Sequence, residues 1–74
     1  MLGQTVFYTL NDEDKRVRGA PPRDTYPAIV VDDHGDDVLT LLVFTGVWHD
    51  PTYVQPTVPN GAAGDPGRWN ALAA

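Results

Sequence analysis

From Val38 to Thr45 the chain reads Val-Leu-Thr-Leu-Leu-Val-Phe-Thr, apolar on both faces of any strand it forms. Successive side chains of a strand point to opposite sides. One face carries Val38, Thr40, Leu42 and Phe44, and the other carries Leu39, Leu41, Val43 and Thr45. A small domain has one core, and a strand covered on one side alternates apolar and polar residues. The pattern therefore predicts a strand inside a tiny closed barrel, or one whose second face meets a partner. Upstream, Pro27 opens a second apolar run, Ala28–Val31, and Asp32–Asp37 separates the two runs. Gly35 supplies the left-handed backbone that a tight reversal needs. An antiparallel hairpin of Ala28–Val31 against Val38–Thr45 follows.

The remaining pattern is of short strands and turn signals. Gln4–Leu10 predicts a first strand, since Thr5, Val6, Phe7, Tyr8 and Thr9 are β-branched or aromatic. Asn11-Asp12-Glu13-Asp14 reads as a turn, and Lys15–Arg18 as a short strand ended by Pro21-Pro22. Thr52–Gln55 reads as another short strand, bounded by Pro51 and Pro56. Residues 59–67 hold three glycines and two prolines and read as irregular. No stretch has sustained helical periodicity. The expected fold is all-β, a small barrel or sandwich of five strands similar to a Src-homology-3-like barrel. Its domain spans residues 1–59, and residues 60–74 form a flexible arm that packs back through Trp69.

Length changes this picture by requiring support. At 74 residues the chain is one domain, marginal by itself. Chains of this size lean on disulfides, a metal or a partner. There is no cysteine, and two histidines make a poor zinc set, so no cofactor is expected and a partner is. Ten acidic against five basic residues give a formal charge of −5, which disfavours direct nucleic-acid binding. Lys15, Arg16, Arg18 and Arg23 nonetheless cluster in nine residues, a solvated loop in the plainer reading and an electrostatic docking strip in the sharper one. No segment reaches the length of a membrane helix, and the N-terminus lacks signal-peptide character, so a cytosolic product with no membrane partner is expected.

Candidate chemistry is sparse. Asp32, Asp33, Asp36 and Asp37 surround Gly35 without the spacing of a calcium loop, so a solvated hairpin tip is the better reading. His34 and His49 lack an oriented nucleophile, and with no serine and no cysteine the common nucleophilic routes are closed. The chain reads as a non-enzyme. Trp48 is a candidate interface anchor. Interface residues are assigned to Ile29, Val31, Leu39, Leu41, Val43 and Trp48, with the other face of Val38–Thr45 filling the barrel.

Four segments in order carry a resemblance: Thr5–Leu10, Tyr26–Val31, Leu41–Gly46 and Asp65–Asn70. Together they resemble a family of small proteins encoded by tailed bacteriophages and prophages. Those proteins have an aromatic first strand, a Pro-Ala-Ile-Val strand, a Val-Phe-Thr strand end and a terminal Pro-Gly segment with tryptophan. Tyr26 stands where that family usually has arginine, and Asn70-Ala71 replaces a second aromatic and a proline. The resemblance implies a phage origin. It leads to the expectation of a virion structural protein, a capsid decoration or cement protein bound to the outer capsid shell. Its expected partners are the major capsid protein, copies of itself, or both. The alternative is a soluble phage-encoded protein that sequesters a nucleotide signal or inhibits a host defence protein. It would use Arg16, Arg18 or Arg23 for phosphate and Trp48 or Tyr53 for a base.

Overall fold

The alternating patterns of the first half fold into the centre of a single antiparallel sheet. The computed structural model describes residues 2–17, 23–47 and 50–71. Among them are β1 (Thr5–Thr9), α1 (Asp12–Val17), β2 (Thr25–Asp33), β3 (Val38–Val47), β4 (Asp50–Pro59) and β5 (Trp69–Ala71). The strand order is β4-β3-β2-β1-β5. The all-β expectation holds, and so does the hairpin, with Ala28 opposite Val43 and Ile29 opposite Leu42.

The sheet is not a closed barrel. Its edge strands β4 and β5 meet through one parallel bridge, Asn60 with Trp69, and β5 is only three residues long. The sheet curls enough to bring these edges together at one corner, but no ladder forms between them. Residues 60–68 are irregular, as their glycines and prolines suggest, before the chain returns as β5 beside β1. Trp69 is buried there, and its indole Nε1 donates to the Asp37 carbonyl at 2.9 Å, tying the returning arm to the β2–β3 hairpin tip.

Two other expectations are corrected. Lys15–Arg18 was expected as a strand, but residues through Val17 belong to helix α1. The reason is local: Asn11 Oδ1 accepts from Asp14 N–H at 2.8 Å, and Asp14 Oδ2 accepts from Asn11 N–H at 3.2 Å. This reciprocal capping box satisfies orphan donors at the helix start. Acidic residues in the first turn and Lys15 and Arg16 in the last also suit the helix dipole. Strand β4 is the second correction, since it runs through both Pro51 and Pro56 instead of ending at them. As an edge strand it needs ladder donors on one side only. It also absorbs a bulge: Pro56 and Thr57 together oppose Thr40, and Thr57 adopts a left-handed φ of 51°.

The core lies on one side of the sheet. Val6 pairs with Ala28, Ala28 with Val43 and Val43 with Tyr53, giving one inward row across four strands. Tyr8, Leu10, Val30, Leu39, Leu41, Val58 and Trp69 complete it.

Candidate functional site: the outer face of the sheet

Because side chains alternate, the register that makes the inward row makes an outward one. Thr5 is opposite Ile29, Ile29 opposite Leu42, and Leu42 opposite Val54. Ile29 and Leu42 are half-buried, as are Phe7 and Phe44 on neighbouring outward positions, while Val54 is 56% exposed. Val31, 46% exposed, is the extra residue of a bulge between the pairs Val30–Leu41 and Asp32–Thr40. The result is an apolar surface over β2, β3 and β4. It ends in a polar row at the hairpin tip, where the His34 ring Nε2 hydrogen-bonds Thr40 Oγ1 at 2.6 Å and His34 Nδ1 lies 3.9 Å from Asp32 Oδ2.

The interface assignment on β3 is reversed by this geometry. Leu39, Leu41 and Val43 were expected at an interface, yet each is 0% exposed and packs in the core. The face expected to fill the barrel, with Leu42 and Phe44, is the one left outside. Each face carries one threonine, and the clue was position: Thr40 stands in the middle of the outer face, whereas Thr45 lies toward the end of the inner one. Strand β1 carries the same clue, with Val6, Tyr8 and Leu10 on one face and Thr5, Phe7 and Thr9 on the other. Ile29 and Val31 lie on the outer side. Trp48 and Arg18, like His49, lie outside the described residues.

The expected docking strip divides. Lys15 Nζ lies 2.6 Å from Asp24 Oδ1, and this hydrogen-bonded pairing holds the Lys15 ammonium above its ordinary pKa. Arg16 and Arg23 are exposed. The Arg23 backbone N–H donates to the Tyr26 hydroxyl at 3.0 Å, and Leu10 N–H donates to the Asp24 carbonyl at 2.8 Å. These bonds fasten residues 23 and 24 to the end of the sheet. Beneath it Tyr8, fully buried, donates its hydroxyl to Asp14 Oδ2 at 2.5 Å. Burial foremost, then that hydrogen bond and the Asp14 charge, push the Tyr8 phenol well above its ordinary pKa. The pair is a buried strut that seats α1 on the core.

Among the described residues there is no cleft or cavity and no group of metal-ligating side chains. No described helix is long and apolar enough to cross a membrane. The four acidic residues of the hairpin tip are exposed; the Asp32 carboxylate accepts from Asp33 N–H at 2.9 Å and the Asp33 carboxylate from Gly35 N–H at 3.0 Å. Tyr53, expected as a base-stacking candidate, is 6% exposed on the inner side of β4 and presents no free ring face.

No protein-family model, curated protein or solved structure matches this chain.

Proposed function

We propose that this protein is a non-enzymatic structural component of a tailed-phage virion, docked on the outer capsid shell through the outer face of β2, β3 and β4. The apolar row Ile29–Leu42–Val54, flanked by Phe44 and Val31, carries the reading. A sheet with one packed face normally presents polar residues on the other. Contiguous apolar surface on a soluble domain marks a place where something binds.

A stable contact needs a broad face. A standard interface covers about 800 Å² per partner, which is about a fifth of this protein's 4492 Å² surface. A domain measuring 30 × 23 × 20 Å offers an area of that order only across a broad face. The sheet edges are poor alternatives. Strand β4 is interrupted by Pro51, Pro56 and a bulge, devices that blunt edge pairing. The resemblance to phage proteins supports a phage origin, and the capsid protein is the partner proposed on that origin. The nucleotide-sequestering alternative loses Tyr53 to the core.

Mass spectrometry of purified virions is the test. A high, fixed copy number relative to the capsid protein is expected. Absence from the particles, with the protein found as a free oligomer of its own copies, would sink the proposal.

A further inference from the structure

We propose that Asn60-Gly61 is a latent self-modification site, a succinimide-forming pair held shut by the Trp69 carbonyl and released when β5 leaves its seat. Asparagine followed by glycine is chemically labile because nothing on the second residue blocks its nitrogen from reaching the asparagine side chain. The chain has three asparagines, and Asn60 alone precedes glycine. Here both groups that must move are tied to one atom. The Gly61 N–H donates to Trp69 O at 2.9 Å, and Asn60 Nδ2 donates to the same oxygen at 3.2 Å. The nucleophilic nitrogen and the leaving amide are thereby both committed to hydrogen bonds that ring closure has to break. Arg68 reinforces the corner, with Nη1 donating to the Asn60 carbonyl at 3.2 Å.

The same packing keeps the labile pair in place. A Cβ at position 61 would stand 2.7 Å from Arg68 Cδ and 2.8 Å from Arg68 Cβ, so the close approach of this arm needs glycine there. The seat that requires glycine is also the seat that silences it. Among the described residues this corner is where the two sheet edges meet, and a three-residue strand holds it. Short edge elements open locally at low free-energy cost.

When β5 detaches, the Gly61 nitrogen loses its proton to solvent base and attacks Asn60 Cγ. The Cγ–Nδ2 bond breaks and ammonia leaves, closing a five-membered succinimide. Water then opens the ring. Cleavage on the side-chain carbonyl side gives aspartate, and cleavage on the main-chain side gives isoaspartate, so the balance is one water in and one ammonia out. Either product adds a negative charge to an already acidic chain. Isoaspartate also lengthens the backbone by one carbon, which moves the position-61 N–H off Trp69 O. The modification therefore records opening of the corner and prevents β5 from reseating.

The test is peptide mapping by mass spectrometry after incubation at mildly alkaline pH. It compares the folded full-length protein with a synthetic peptide of residues 58–64, and Asn11 and Asn70 serve as internal controls. Conversion at Asn60 should be at least about ten-fold slower in the folded protein than in the peptide. Trp69→Phe, which removes the bond to Asp37, should accelerate it. So should Arg68→Ala, an exposed change that loosens the corner without touching the core. Equal rates in folded protein and peptide would overturn the proposal. So would protection that neither variant weakens while circular dichroism shows both folded.

Discussion

Leu41 and Leu42 are adjacent in sequence and opposite in consequence, and substituting each in turn tests the sidedness of the sheet. Leu41 is 0% exposed and opposes Val30 and Gln55. Truncating a buried leucine to alanine costs about 2–5 kcal/mol, from lost transfer energy and the cavity left behind. A chain of 74 residues has a total stability of roughly 4–11 kcal/mol. Leu41→Ala therefore removes a third or more of the stability in most of that range. Leu41→Asp, which buries an unpaired carboxylate, unfolds the protein. Leu42 lies half-buried between Ile29 and Val54, and its cross-strand pairs contribute about 0.2–1 kcal/mol each. Leu42→Asp should cost about 1 kcal/mol and leave a folded domain, because the carboxylate points to water. Urea denaturation followed by far-ultraviolet circular dichroism reads both. A folded Leu41→Asp beside an unfolded Leu42→Asp would refute the assignment of faces.

Further outcomes follow from the same contacts. Tyr8→Phe removes a donor from the buried Asp14 carboxylate and should cost about 1–3 kcal/mol by urea denaturation. Because the folded Tyr8 phenol is raised above its unfolded value, its contribution is full below about pH 10 and declines as pH rises beyond it. The urea midpoint of the wild type should fall more steeply above that pH than that of Tyr8→Phe, and parallel pH profiles would contradict the strut. Asp36 sits at φ 53°, a left-handed conformation costly for most side chains, so Asp36→Gly should raise stability by about 0.5–1 kcal/mol in thermal melts. A lower melting temperature would contradict this. Gly61→Ala forces a Cβ against Arg68 Cβ and Cδ and should cost about 1–3 kcal/mol, a loss that Arg68→Gly in the same chain, which removes both carbons, relieves. Equal losses in the single and double variants would show that the clash is not the cause.

Much of the sheet was legible in periodicity. The β2–β3 hairpin announced itself through two apolar runs around Gly35, and the first strand through five β-formers in a row. Helix α1 was hidden because it is six residues long and has no apolar stripe. Its signal is the capping box Asn11/Asp14, which in sequence looks like any polar turn. The full length of strand β4 is masked in the sequence by Pro51 and Pro56, because proline is a ladder breaker. Only its edge position and its bulge at Pro56-Thr57 make the full ten residues possible. The candidate site was legible as surplus apolar surface on β3, but the choice of face depends on register with β1 and β2. Thr40 held part of that information: it interrupts the middle of the outer face, whereas the inner face runs Leu39, Leu41 and Val43 before its own threonine, Thr45. The corner at Asn60, Gly61 and Trp69 was legible only as an arm that packs back through Trp69, since its hydrogen bonds join residues across an irregular segment whose path composition does not encode.

The most direct test of the docking face is co-sedimentation with phage particles lacking the endogenous protein, comparing the wild type with Leu42→Asp. The wild type is expected to pellet with particles to a saturating copy number. Folded Leu42→Asp should stay in the supernatant, because its carboxylate stands in the middle of the apolar row. Equal pelleting of the two proteins, or no pelleting of the wild type, would contradict docking of the outer sheet face on the capsid.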